Sequence, residues 1–266
     1  MTKVITFGNF KGGVGKTTAS CIFSYLLYKQ GYKVLIVDFD PQANSTNFCS
    51  LTFDKDMTES TSLFEAIQAQ DLRKCLTKLD ENIDILPSAI DLSDFPRLLY
   101  KLSGKNQDKE HYYLDYLISD LKQDYDFVII DVPPTISVFT NNALVASDYT
   151  VIILQTELDS LTGAIEYKDY VEKMIRFNSS LKILGVVPFL MNKQSKIDEF
   201  ILKTASSKSH KIDHLIFNGQ IYSSERVKRY RIGGITDEDW HDKNTLKMYR
   251  NVLDEIINSM EEIKND

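Results

Sequence analysis

The sequence predicts an α/β fold, a mostly parallel twisted sheet with helices on both faces. Three observations carry this expectation. Short runs rich in Val and Ile recur at 4–7, 34–37, 127–130, 150–154 and 183–187. They are continuous rather than alternating, as strands buried on both faces are. Helical periodicities lie between them, and the first 38 residues already read strand, Gly-rich turn, helix, strand, the opening of a right-handed crossover unit.

Taken in order, the first run leads into a glycine-rich turn. After Gly15, the residues Ala19, Ile22, Phe23, Leu26 and Leu27 mark one face of a helix that Gly31 stops. Two stretches, 41–60 and 103–110, are polar and poor in periodicity, so they are expected as loops. In the last helix Leu246, Tyr249, Leu253, Ile256, Met260 and Ile263 recur at spacings of three and four, a stripe that packs as an amphipathic cap. Neither an internal repeat nor a low-complexity linker interrupts the chain. The expectation is one domain spanning 1–266, with no helix-turn-helix extension before Lys3.

Composition narrows the class. With 43% hydrophobic and 26% charged residues in 266, the chain has ample apolar material for a core, which argues against disorder. No run approaches the ~20 apolar residues needed to cross a bilayer, and the N-terminus lacks a charged-then-apolar export signal. Cys21, Cys49 and Cys75 are widely spaced without a Cys-x-x-Cys pair. That spacing excludes a disulfide framework or zinc ribbon and fits a reducing cytosol. Net charge is 31 − 38 = −7, unevenly spread. Residues 193–231 carry nine Lys/Arg against four Asp/Glu, or +5, leaving −12 elsewhere. Such a segment suits a local polyanion site or a solvated lysine-rich face.

The decisive segment is Lys11-Gly12-Gly13-Val14-Gly15-Lys16-Thr17-Thr18, placed after a strand and opening a helix. Backbone amides of a Gly-rich turn and a helix N-terminus converge on anionic oxygens. Lys16 brings a point charge to β- and γ-phosphates, and the Thr17 hydroxyl can ligate Mg²⁺. The ordinary phosphate-loop pattern has Gly six places before the lysine. Phe10 stands there instead, and an extra lysine, Lys11, marks a variant loop.

Two strands end in carboxylates. The run 34–40 ends with Asp38 and Asp40, and 127–131 ends with Asp131. One such Asp usually caps a helix or turn. Three beside a phosphate loop are placed to hold magnesium or orient water, so Asp38 and Asp131 join Thr17 as expected metal-site residues. Asn192-Lys193-Gln194-Ser195 stops one residue short of the guanine-reading Asn-Lys-x-Asp. The base is therefore expected to be adenine, with Asn192 near it.

At these residues the chain resembles the ParA-type DNA-partition ATPases, P-loop NTPases of the deviant Walker A superfamily. Further likenesses are Gln42-Ala43-Asn44-Ser45-Thr46, Asn141-Asn142-Ala143-Leu144 with Asp148, Gln155-Thr156-Glu157 and Ser224-Glu225-Arg226-Val227. Together they span roughly residues 3–260. The resemblance implies a homodimer that sandwiches two ATP molecules. Lys11 would reach the partner's phosphates in the manner of an arginine finger. Asp40 would position the attacking water, and Asp131 would hold Mg²⁺ through water. ATP-bound dimers of such a protein coat nonspecific DNA. A ParB-like centromere-binding protein stimulates slow hydrolysis and releases them, which implies a cytoplasmic, nucleoid-associated protein.

Within that superfamily, an iron-protein or scaffold branch needs paired interface cysteines, which are absent. A MinD-like branch needs a basic C-terminal amphipathic helix, whereas 254–266 holds five acids and one Lys, so no membrane partner is expected. An ATP-switched positioning protein acting through a protein or membrane remains the alternative. DNA contact is expected at Arg226, which matches a family arginine, and at Lys228 and Arg229, where the family's acidic-Ala-Pro segment is replaced. Lys193, Lys196, Lys203, Lys208 and Lys211 lie nearby in sequence; helix capping and solubility are the competing roles. His210 and His214 lack a third ligand and are expected at the surface. Trp240 is expected to fill a packing gap, and Cys21 to act as a small apolar residue.

Overall fold

The computed structural model describes residues 2–58, 60–104, 107–207 and 212–265. Lys208, His210 and Lys211 lie outside the described residues. Seven strands form one sheet in the order β3-β4-β2-β5-β1-β6-β7. They are β1 (Lys3–Gly8), β2 (Val34–Asp38), β3 (Thr77–Asp80), β4 (Ile83–Leu86), β5 (Phe127–Asp131), β6 (Tyr149–Gln155) and β7 (Lys182–Phe189). Only β3 runs antiparallel to its neighbour. All five apolar runs are strands, as expected.

Alternation along each strand divides its side chains between two helical layers. Val34 and Ile36 face one core with Phe127 and Ile129, while Leu35 and Val37 face the other with Val128 and Ile130. Helix α1 (Lys16–Lys29) lays Ile22, Phe23 and Leu26 on the first core, where α10 (Trp240–Asn265) adds Tyr249, Val252 and Ile256. The Phe23 and Tyr249 rings meet edge to face at 5.8 Å. Burying each such side chain contributes about 2 kcal/mol, so α10 is held by its apolar stripe. On the opposite core lie α3 (Leu63–Gln68), α4 (Phe95–Ser103), α5 (Tyr113–Ile118) and α6 (Val138–Ala146). Helices α7 (Leu158–Met174) and α8 (Lys196–Ala205) cover β6 and β7.

Three expectations require correction. Residues 41–60 are not all loop, because α2 (Asn44–Phe53) buries Phe48 and Cys49 against α1. Its sequence lacks a broad apolar stripe, so only the tertiary contact favours the helix. The stretch 103–110 likewise runs into a 3-10 segment at Gln107–Tyr112. Trp240 fills no gap; at 71% exposure it stands in solvent beside His241. The β3–β4 pair, which extends the sheet beyond β2, was not anticipated.

Candidate nucleotide-binding site

The phosphate loop leaves the C-terminal end of β1, between β5 and β6, where parallel strands diverge. Phe10 explains how the loop dispenses with the usual first glycine. Its ring packs edge-on against Tyr167 and Tyr170 of α7, with centroids 5.3 and 5.5 Å away. Asn9 anchors the same corner. Its amide donates to the Ile153 carbonyl at 2.7 Å, and its carbonyl oxygen accepts the Lys11 N–H at 2.8 Å. Gly163 lets α7 approach this closely, since a Cβ there would strike Asn9 and Lys11. At the other end Gly15 has φ +102°, and a Cβ would collide with the Phe189 ring.

The loop opens α1 with no side-chain N-cap and no acidic residue in the first turn. Its orphan amides and positive dipole end are therefore left for an anion. Lys16 points the same way. The residue is 6% exposed, and its ammonium donates to the Lys11 carbonyl at 3.2 Å. Among the described residues it has no carboxylate within 4.0 Å. Burial lowers its pKa to about 8, against the opposing pull of Asp131 and Asp40. A buried cation without a counter-charge beside uncapped amides fits a phosphate chain.

Carboxylates complete the cleft. Asp131, fully buried, accepts from the Ser45 hydroxyl at 2.7 Å, from Ser20 at 3.4 Å, and from Thr17. Burial raises its pKa, opposed by the Ser45 and Thr17 hydrogen bonds. Asp40 lies at the cleft, and one of its oxygens accepts the Gln42 N–H at 3.0 Å. A cleft of ≈ 290 Å³ runs over Gly13, Lys16, Thr17 and Asp40, closed on one side by Pro134. Thr17 and Asp131 together offer a hydroxyl and a carboxylate, hard oxygen donors that suit Mg²⁺.

Not every expected residue converges here. Gly12, Gly13, Val14, Gly15, Lys16, Thr17 and Thr18 form the loop and the first turn of α1, with Val14 and Thr18 buried. Asp38, expected at the metal, is instead set behind the cleft and serves α2. One oxygen accepts from the Thr46 amide at 2.7 Å and hydroxyl at 2.8 Å, while the other accepts the Asp40 N–H at 3.3 Å. One oxygen thus holds the first turn of α2 and the other the turn that follows β2. Burial and the neighbouring Asp131 charge push its pKa up to about 8. Asn192 lies just beyond β7 and is not among the residues that line the loop cleft. The residue is exposed, and its backbone N–H donates to Asp198 at 2.5 Å.

Lys11 departs from the cleft as its displaced position suggests. Its carbonyl faces Lys16, while its side chain is 42% exposed and places the ammonium 3.2 Å from Asp159 at the start of α7. Sequence reasoning missed Ser20, Ser45, Asp159 and Arg231. The last belongs to α9 (Glu225–Gly233), and it lines the phosphate cleft from the far side. No local pattern marks it, because α9 reaches the cleft only by packing on α2.

The expected DNA-contact arginine has another task. Arg226 Nη2 donates to Asp239 at 2.6 Å, and its Nε lies 3.3 Å from the buried Asp242 of α10. Asp242 also accepts from Tyr230 at 3.0 Å and Thr236 at 2.9 Å. Arg226 therefore clamps α9 to the start of α10, which corrects its assignment as a free phosphate ligand. Lys228 pairs with Glu225 at 2.6 Å on the surface, and Arg229 is exposed. His214 is exposed, as expected.

A parallel sheet with a phosphate loop after its central strand, and carboxylates at adjacent strand ends, defines a P-loop nucleotide hydrolase. A family model described as an AAA domain matches residues 2–183. The chain is 33% identical to the sporulation initiation inhibitor protein Soj of Bacillus subtilis over 200 residues, 74% of this chain and 76% of Soj. The virulence plasmid ParA family protein of Chlamydia psittaci is 30% identical over 99% of this chain and 95% of its own. A putative plasmid partition protein from Borrelia burgdorferi bound to AMPPNP superposes with TM-score 0.77 at 25% identity, covering 97% and 99% of the two chains. McdA from Cyanothece shares the fold, with TM-score 0.82 at 24% identity over 97% and 96%. The chain belongs to the ParA family of P-loop partition ATPases.

Proposed function

We propose that the protein is a plasmid or chromosome partition ATPase whose ATP-bound form is a face-to-face homodimer that holds nonspecific DNA. The observation that carries this reading is the position of Lys11. Its ammonium is not among the groups lining its own cleft and instead pairs with Asp159 at the start of α7, beside the 61% exposed Leu158. A cation turned away from its own phosphate site is free to serve the site of a second copy.

In this reading Lys16 and the loop amides neutralise the β- and γ-phosphates. Thr17 and Asp131 would hold magnesium, which when bound with the nucleotide would supply further charge neutralisation at the phosphates. Asp40 orients the attacking water, and Lys11 of one copy stabilises charge at the other's γ-phosphate. Arg231 adds a second cation at the cleft's outer edge. Asn192 remains the proposed neighbour of adenine. Hydrolysis is slow until a ParB-like centromere-binding protein engages the dimer, and the protein works in the cytoplasm on the nucleoid. The two partition relatives support this reading. The cobyrinic acid a,c-diamide synthase of Mycobacterium smegmatis, solved with an ATP analogue and magnesium at 26% identity and TM-score 0.78, supports the nucleotide and metal assignment.

A second reading, an ATP-switched positioning protein that acts through a protein partner, draws on the internal engagement of Arg226. Retention on random-sequence DNA as a function of salt, with and without ATP, separates the two. ATP-dependent, salt-sensitive retention is expected, and its absence would leave the positioning role.

A further inference from the structure

Strand β4 lies parallel to β2, with Leu86 opposite Val37. The chain leaving β4 therefore emerges at the same sheet edge as the turn that carries Asp40. Ser88, 6% exposed, stands two residues beyond the end of β4. Its hydroxyl donates to the Asp40 carbonyl at 2.8 Å, and its N–H donates to the Thr46 hydroxyl oxygen at 2.9 Å. The Thr46 hydroxyl donates in turn to Asp38 at 2.8 Å, and the other oxygen of Asp38 accepts the Asp40 N–H. These bonds close a ring that joins the ends of β2 and β4 to the first turn of α2.

Asp40 has three other hydrogen bonds, all to near neighbours in the chain. Its N–H goes to Asp38, its carbonyl also accepts the Ala43 N–H at 2.9 Å, and one carboxylate oxygen accepts the Gln42 N–H. Those from Gln42 and Ala43 shape the turn but move with it. The turn ends at Ala43 with φ +53°, a backbone conformation unfavourable for a residue with a Cβ, so it persists only with support from outside. Among the described residues, Ser88 alone ties Asp40 by a hydrogen bond to a segment distant in the chain.

We propose that Ser88 is a positioning residue for hydrolysis, anchoring the Asp40 carbonyl to β4 so that the Asp40 carboxylate is held where it orients the attacking water. The inference rests on the reading of Asp40 given above. Orientation is the part of this chemistry most sensitive to small shifts, and a misplacement of about 1 Å costs about 100-fold in rate. Nucleotide binding does not depend on the same anchor. Ser88 is not among the residues lining the phosphate cleft, and the phosphates are met by Lys16 and the loop amides. Loss of the Ser88 hydroxyl should therefore slow the chemical step and spare affinity. The turn keeps its Ala43 and Gln42 bonds, so the fold survives. The β3–β4 pair thereby supports the reaction through the segment that follows it.

The test measures single-turnover hydrolysis at saturating Mg·ATP for the full chain, with ATP affinity from calorimetry as the folding control. Ser88→Ala removes the donor, and Ser88→Cys keeps the volume but donates poorly. Both should lower the rate about 10- to 100-fold while ATP affinity stays within about twofold. The double variant Ser88→Ala/Asp40→Ala separates positioning from packing. If Ser88 acts through Asp40, the double variant is no slower than Asp40→Ala alone, whereas a packing role adds its loss in both backgrounds. Wild-type rates in both Ser88 variants overturn the inference, as does an equal fold-loss with and without Asp40. Normal turnover by Asp40→Ala would instead defeat the reading of Asp40 on which the inference rests. If Ser88→Ala does not bind ATP, Ser88→Cys takes its place in the single and double variants. An affinity loss in Ser88→Cys that matches its rate loss also overturns the assignment.

Discussion

The guanidinium of Arg226 and the carboxylate of Asp242 lie 3.3 Å apart across the junction of α9 and α10, with the Asp242 side chain almost wholly buried. This pair decides what Arg226 does. A cation engaged with two carboxylates and only 20% exposed is poorly placed to leave them for a phosphate.

Arg226→Ala should therefore act on stability. Removing one partner of a buried pair costs about 3–5 kcal/mol, and the donors Tyr230 and Thr236 left on Asp242 should reduce this to about 2 kcal/mol. A urea titration measures it. An unchanged midpoint, with a loss confined to DNA affinity, would restore Arg226 as a direct contact.

ATP affinity should fall as pH rises through about 8. Burial lowers the pKa of free Lys16 to about 8, and a bound phosphate chain raises it again. Binding therefore requires the ammonium and takes up a proton above that pH. Calorimetry in buffers of different ionisation enthalpy reads this uptake. Lys16→Gln should bind about 10- to 100-fold more weakly and lose the uptake, since a charge-assisted contact is worth about 1.5–3 kcal/mol.

Asp40→Ala should keep ATP binding and lower turnover by about 10²–10⁴-fold, because a water-orienting group acts on the barrier. Light scattering should then show an accumulated ATP dimer. Normal turnover would remove Asp40 from the chemistry.

Lys11 should work in trans. Its pairing with Asp159 is exposed and worth at most about 1 kcal/mol, so release costs little. Lys11→Ala should still bind nucleotide as a monomer but lose hydrolysis. Mixing it with Asp40→Ala should restore one active site in two. Turnover by Lys11→Ala alone at the wild-type rate would exclude the role.

Arg231→Ala should weaken ATP binding about tenfold with little change in stability, as expected for an exposed cation at the edge of the cleft. Equal affinity in the variant would show that its proximity is incidental.

Much of this molecule is legible in the chain itself. Buried parallel strands must be apolar on both faces, so the runs at 34–37 and 127–130 announce the sheet. The loop from Lys11 to Thr18 announces the phosphate site, since its glycines and lysine are adjacent in sequence. Asp40 and Asp131 are legible because strand ends at that sheet edge converge by topology. Tertiary structure alone decided the rest. Asp38 and Asp131 both end buried strands, yet α2 claims Asp38 through Thr46 and leaves Asp131 facing Thr17. Arg226 and Lys247 are both basic residues, but a buried carboxylate from the next helix occupies only the first. The physical reason is that sequence specifies which groups carry charge, whereas partners distant in the chain determine which charges are already neutralised.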